Sequence, residues 1–331
     1  VDLDAYTAAH SADWDRLAKL SKRRRIDGRE ADELIDLYQS GATDLSAIKT
    51  LAGSTATGDR LSVALAAARL RFTGAGANLF SQLPRFFVYQ LPAALYRIRW
   101  LVLAVAVATI VVATLYAVWI AGNPDVLANF GQDAQLRHYV EHDFIDYYSN
   151  NPAASFSGQV WTNNAWIAAQ CIAFGITGIF VPYVIIQNAV GIGTAAGVMF
   201  AYGRGDVMFA YILPHGLLEL TSVFVAAAAG LRIFWAWIAP GARTRAQALA
   251  EDGRALFTVA IGCAISLFVS GIIEGFVTPS SLPVWAKIAI GALALAAFLT
   301  YMLVLGRRAV RAGETGDLTE FEAGSRRVVA G

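Results

Sequence analysis

Residues 100–121, WLVLAVAVATIVVATLYAVWIA, contain no charged side chain. At about 1.5 Å of rise per residue, such a run makes a helix long enough to cross the roughly 30 Å hydrocarbon layer of a bilayer, where every backbone amide must find its partner within the chain. Five more apolar runs follow, at 160–180, 184–202, 207–231, 256–278 and 284–305. Composition agrees, because 56% of the 331 residues are hydrophobic and only 15% charged, too apolar for an ordinary soluble domain. The expectation is an all-α fold: a polytopic membrane helical bundle of about six transmembrane helices with an N-terminal cytoplasmic helical domain.

The charges set the orientation. Arg85, Arg97 and Arg99 precede the first run, Arg232, Arg243, Arg245 and Arg254 follow the fourth, and Arg307, Arg308 and Arg311 follow the sixth. With six crossings these clusters share one side, which the positive-inside bias makes cytoplasmic, while Arg204 falls on the other side. The expected layout is a cytoplasmic head at 1–78, an interfacial amphipathic linker at 79–99, a membrane domain at 100–305 with an external loop at 122–158, and a cytoplasmic tail at 306–331. No secretory leader is expected, since the first 75 or so residues are mostly polar. In the head, Leu3, Tyr6, His10, Trp14, Leu17 and Leu20 fall on one helical face, and His10 is expected in the core. Two more amphipathic stretches follow, the last over residues 59–72. The basic run at 22–25 reads as a solvated helix end rather than a headgroup site. A net charge of +1 gives no basic field for nucleic acid.

Ionisable and amide side chains then interrupt the apolar runs. His215 and Glu219 in "LPHGLLEL" are one helical turn apart on one face, Pro214 removes a backbone donor just before them, and Gly216 follows. Glu274 lies near the end of the fifth run, Asn163 and Asn164 near the start of the second, and Gln187 and Asn188 in the third, beside the small residues Gly191, Gly193 and Gly197. A charged acid at mid-bilayer costs about 2.5–3.5 kcal/mol on insertion scales, so these groups are expected to face protein and form one buried polar cluster. Four uses stay open: a hydrogen-bonded clamp between helices, a proton or ion path, a metal-dependent catalytic centre, and a ligand pocket. Metal hydrolysis is the weaker reading, because one imidazole and two acids stand without an HExxH motif. No serine or cysteine near His215 in sequence supports a nucleophilic triad, and Cys171 and Cys263 read as packed, reduced thiols.

Two segments are ambiguous. The second and third runs are separated only by the uncharged "FVPY", which suits either a tight hairpin or two re-entrant half-helices. In the external loop, His138, His142 and Asp146 recur every four residues and are a weak divalent-cation candidate. The aromatic residues among them favour an amphipathic helix resting on the outer leaflet or on a partner.

The stretches "NNAWIAA", "FGITGIFVPYVIIQN", "LPHGLLELTSVFVAAAAGLRI" and "IEGFVTPS" resemble the stage II sporulation protein M (SpoIIM) family of bacterial membrane proteins over residues 147–280. The preceding "EHDFIDYYSNNPAASF" and the helical head are similar to its longer, non-sporulation branch. Pro214, His215, Gly216, Glu219, Glu274 and Pro279 stand at the matching motif positions. The resemblance implies a multi-pass protein of the bacterial cell membrane and a non-enzymatic assembly or scaffold role, possible as a homodimer. In sporulating bacteria the family anchors peptidoglycan-degrading enzymes; elsewhere it is encoded beside MoxR-type AAA+ ATPases. The implied partners are thus membrane lipid and either envelope enzymes or such an ATPase system. A transporter or ion-coupled channel is the alternative reading, an intramembrane metal-dependent enzyme the third. The sequence leaves the cofactor open.

Overall fold

A computed structural model describes residues 3–23, 26–53, 55–72, 83–149 and 153–317. The chain divides into two compact units, one ending at Gln82 and the other spanning Leu83–Leu318. Among the described residues all regular structure is helical.

The first unit is a three-helix bundle of α1 (Leu3–Lys22), α2 (Gly28–Ala52) and α3 (Ala56–Phe72). Asp27 starts α2 with a reciprocal capping box, its carboxylate accepting from the Glu30 amide at 2.8 Å while Glu30 reaches back to the Asp27 amide. Leu17, Leu20, Leu34, Ile48, Leu61, Leu65 and Ala68 close the core. Arg16 and Glu33 make a bidentate pair with both bonds at 2.7 Å, and the Arg16 guanidinium holds the Glu33 carboxyl below its ordinary value. Of the basic run, Arg23 pairs with Glu30, whereas Arg24 and Arg25 lie outside the described residues. His10 is half-buried, stacked between Tyr6 and Trp14.

Sequence periodicity gives no hint of the acid at the centre of this bundle. Asp44 is buried and accepts from the Tyr6 hydroxyl and the Trp14 indole, each at 2.8 Å.

The second unit begins with a π-helical turn, Phe86–Gln90, that runs into α4 (Leu91–Arg97) and then, after a break at Ile98, into α5 (Arg99–Ala121). Leu91, Ala94 and Leu95 of α4 are buried in the main core, so the described part of the expected linker packs on the bundle; residues 79–82 lie outside the described residues. Past α5 come a single turn, Pro124–Leu127, then α6 (Asp133–His138), a π-turn (Tyr139–Asp143) and α7 (Phe144–Ser149). The remaining helices are α8 (Ala153–Ala173), α9 (Phe180–Ala201), α10 (Gly205–Ile238), α11 (Arg245–Ile272), α12 (Val284–Thr300) and α13 (Gly306–Arg311). A π-turn extends α11 to Val277, and another joins α12 to α13.

Among the described residues five helices are long and apolar enough to cross a membrane: Arg99–Ala121, Phe180–Ala201, Gly205–Ile238, Arg245–Val277 and Val284–Arg311. The expected second span is the exception. Its helix starts at Ala153 instead of Val160 and ends at Ala173, and Gln159, Thr162, Asn163, Asn164 and Gln170 dilute its apolar character. It is nevertheless full length, about 32 Å at 1.5 Å per residue. The pair α8 and α9 is therefore not two half-helices but two complete ones, joined through a 3-10 turn at Gly175–Thr177.

Small residues allow the helices to touch. Gly193 and Gly197 of α9 lie against Ala113, Tyr116, Ala117 and Ile120 of α5. Gly230 of α10 packs on the Cys171 carbonyl, and a Cβ there would come within 2.1 Å of that oxygen. Lipid tails are as apolar as the helices, so backbone proximity and interhelical hydrogen bonds supply much of the association. At one end of the bundle Arg254 holds Asp317 in a bidentate pair at 2.6 and 2.8 Å. Arg97 donates to the Thr315 carbonyl at 2.7 Å, which folds the start of the expected tail onto α4.

Replacing Asp44 by alanine leaves the Tyr6 hydroxyl and Trp14 indole without their acceptor. We expect about 1–3 kcal/mol of lost stability in the first unit, read by denaturant titration of the Trp14 fluorescence in a variant lacking the other tryptophans.

Candidate functional site

α10 and α11 are clasped by polar side chains along their shared face. The Ser222 and Ser266 hydroxyls stand 2.7 Å apart, and the Cys263 thiol donates to the Ser222 carbonyl at 3.6 Å. One turn towards the loop end, the Ser270 hydroxyl donates to the His215 carbonyl at 3.0 Å and lies 3.4 Å from Glu219 Oε2. Here the motif residues meet. His215 and Glu274 are 4% and 3% exposed, with His215 Nε2 3.8 Å from Glu274 Oε1. The other imidazole nitrogen, Nδ1, is 3.3 Å from the buried Thr278 hydroxyl, which donates to the Ile273 carbonyl. Lys287 of α12 donates to the Thr278 carbonyl at 2.7 Å.

Glu219 is half-buried and, with His215 and Gly216, borders a cavity of about 450 Å³. Asn164 of α8 and Asn188 of α9 contribute amides to its wall, and Gly191 leaves its side open. Asp143, Tyr147 and Tyr148 of the loop cover it. The Tyr148 ring sits 5.9 Å from that of His215 and 5.3 Å from that of Tyr211. Burial, and after it the Glu274 carboxylate, pushes the Tyr148 phenol above its ordinary value, so it stays protonated.

Of the expected site residues, Asn164, Asn188, His215, Gly216 and Glu219 line one cavity, and Glu274 stands directly behind His215. Pro214 is buried and does something else. Its carbonyl is the contact point for α12, where a Cβ on Gly291 would lie 2.2 Å away. Asn163 does not join the cluster, nor does Gln187; both are exposed, because the cavity takes only the helix face that carries their neighbours. Thr278, Ser270 and the loop tyrosines complete the site. A threonine at i+4 from Glu274 was a readable signal, whereas the tyrosines depend on how the loop folds back.

The loop corrects two expectations. The π-turn at Tyr139–Asp143 widens the helix between His138 and Phe144, which breaks the four-residue alignment of His138, His142 and Asp146. His138 instead lies 3.6 Å from Asp143, and His138, His142 and Asp146 form no triad of converging ligand atoms. The apolar face of the loop packs on the chain's own bundle, with Leu136, Val140, Phe144 and Tyr148 buried against Ala196, Val198, Met199 and Met208.

Among the described residues, only His215, Glu219 and Glu274 gather three metal-capable side chains, one ligand atom of each lying within 4.8 Å of the others.

The model of the family described as Stage II sporulation protein M matches residues 102–279, more than half of the chain. The chain belongs to the SpoIIM family. It is thus an integral membrane protein, and the matched region spans the whole site, from α5 through the cavity to Thr278 and Pro279. A second model, described as a domain of unknown function (DUF8413), matches residues 4–74 and coincides with the three-helix unit. No curated protein and no solved structure matches this SpoIIM chain.

Two outcomes test the site's construction. Gly291→Ala forces α12 away from the Pro214 carbonyl and is expected to cost about 1–3 kcal/mol, seen as a lower melting temperature in detergent. The loop's docking depends on Asp133, whose carboxylate accepts from Arg137 at 2.9 Å and from the Tyr202 hydroxyl at 2.8 Å. These bonds, from Arg137 first and Tyr202 second, hold the Asp133 carboxyl below the ordinary carboxylate range. Their stabilisation is complete above the unfolded value and disappears as pH falls through the lower folded one. Protection across 133–149, read as exchange relative to the intrinsic amide rate at each pH, should therefore fall only below about pH 4, and Tyr202→Phe should lower it at neutral pH.

Proposed function

We propose that this SpoIIM protein is a non-enzymatic membrane assembly factor that engages partners through its helical head and through the loop-capped cavity. The observation that carries this reading is the cavity's blind end. A conducting route needs polar groups through the depth of the bundle. Below Glu219 the wall becomes Leu220 and Val223, and the next residues, 224–229, are each buried against the core that includes Cys171, Val181 and Val259. The cavity lining stops at Val223, and the buried Ser222 and Ser266 hydroxyls beyond Glu219 are taken up by each other in the α10–α11 contact, which favours capture over passage.

With α8 as a sixth crossing, the basic clusters around Arg97, Arg243 and Arg307 lie on one side, and the positive-inside bias assigns it to the cytoplasm. Head and tail then face cytoplasmic partners, for which an AAA+ ATPase of the MoxR type is the family's precedent, and the cavity faces the cell envelope and its enzymes.

Proteoliposomes containing the protein are expected to show no proton or cation flux above protein-free vesicles. Photo-crosslinkers at Tyr147 and at the exposed Val63 of the head should trap different proteins in native membranes. Trapping at Tyr147 should fall when Gly191→Trp fills the cavity. Flux that Glu219→Gln abolishes would overturn the proposal, as would the absence of adducts from both positions.

A further inference from the structure

Acceptors confront one another at the end of the cavity. The Thr278 hydroxyl spends its proton on the Ile273 carbonyl, so towards His215 it is left to accept, and the imidazole presents Nδ1–H to it. A neutral His215 in that tautomer has only a lone pair at Nε2, and that nitrogen faces Glu274 Oε1 at 3.8 Å. Glu274 Oε2 is buried with no hydrogen-bond partner among the described residues, in a residue 3% exposed. Glu219 brings a second carboxylate to the same point. One nitrogen and two carboxylates thus converge, and what they lack is a positive centre. Lys287 does not supply it through the hydrogen bond it makes, which goes to the Thr278 carbonyl.

We propose that His215 Nε2 and the carboxylates of Glu219 and Glu274 bind a first-row divalent cation of the zinc class. Imidazole and carboxylate suit such a metal, with bonds of about 2.0–2.2 Å that leave neighbouring ligand atoms some 3.3–3.5 Å apart in a tetrahedron. The observed 3.8 Å between His215 Nε2 and Glu274 Oε1 closes to that spacing with a shift of a few tenths of an ångström, and the three ligand atoms, all within 4.8 Å of one another, close to it with side-chain movement of up to about 1.3 Å. Thr278 is the positioning residue: by accepting from Nδ1 it fixes the ring and its tautomer, as the outer partners of metal-bound histidines do. Three protein ligands leave a fourth position, and Glu219 and His215 both border the cavity from which water or a partner's acidic group reaches it. The cation also ties α10 to α11 at the cavity end. This assignment is independent of the assembly reading, since a metal-free site would leave the flux and crosslinking results untouched.

The test uses the full-length protein in nanodiscs, stripped with chelator and titrated with zinc chloride, with bound metal counted by mass spectrometry. A His138→Ala, His142→Ala background removes the exposed loop histidines as a competing site. We expect one zinc per chain in that background, a higher melting temperature on loading, and a cobalt-substituted form whose visible absorption reports a low-symmetry nitrogen and oxygen site. Thr278→Val should weaken binding about 10–100-fold while retaining the cobalt spectrum at saturation, and Glu274→Gln should weaken it at least as much. Failure of the folded protein with intact His215, Glu219 and Glu274 to take up zinc or cobalt would overturn the proposal. So would an affinity unchanged by Glu274→Gln, which would leave a shared proton as the occupant. Because the zinc count and cobalt spectrum need no substitution at the three ligands, an unfolded variant cannot mask either result.

Discussion

Burial of ionisable groups within an apolar bundle is the constraint from which this structure follows. An isolated carboxylate in hydrocarbon is so unfavourable that the fold must surround it with donors, a cation or a proton. His215 and Glu274 lie in the interior of the second unit, and the residues around them serve that need: Thr278 for the ring, Ser270 for the His215 carbonyl, Lys287 for the opened end beyond α11. Each partner comes from a different turn or helix, so meeting the polar requirement also fixes how α10, α11 and α12 sit together. The same logic repeats deeper, where Ser222 and Ser266 pair across the α10–α11 contact. Interhelical bonds of this kind contribute only about 0.6 kcal/mol each, which makes register their larger effect.

Close approach supplies the rest of the cohesion. Gly193 and Gly197 admit α5 to α9, Gly230 admits the Cys171 carbonyl, Gly291 admits Pro214, and Gly306 admits the Pro92 carbonyl. In each case an added Cβ would fall within 3 Å of another residue's atoms. At Pro214 the two devices meet. A proline that offers no amide to its own helix also provides the carbonyl against which α12 is seated, one residue before the histidine. Movement of α12 would therefore be felt at the site itself.

The sequence was informative where a physical cost is visible in one dimension. An uncharged run of membrane length can hardly be anything but a span, and a histidine four residues before a glutamate inside such a run must face protein. Both inferences survive in the structure. Three-dimensional information entered elsewhere. Asn163 and Asn164 are adjacent and chemically identical, yet only the second faces the cavity, and which one does is decided by the rotation of α8 against α10 and α11. Asp44 is read from sequence as one more acid on a polar helix; Tyr6 and Trp14, more than a full helix away, make it the centre of the head. The π-turn at Tyr139–Asp143 defeated a strict four-residue rule by changing the pitch on which that rule rests.

The low apolarity of α8 belongs to the same physics. A helix that turns Asn164 to a cavity while packing on α10 and α11 is not solvated by lipid all round, and hydropathy measured over its whole circumference understates how well it fits a membrane. Arg99–Ala121 has only 22% of its most apolar window buried and a hydropathy of 2.6, whereas Gly205–Ile238, with 61% buried, has 1.7. Between these two, the helix that carries His215 and Glu219 is the less apolar and the more enclosed. Polar side chains inside a membrane are tolerated where protein surrounds them, and the enclosure of Gly205–Ile238 is what lets it carry the ionisable residues of the site.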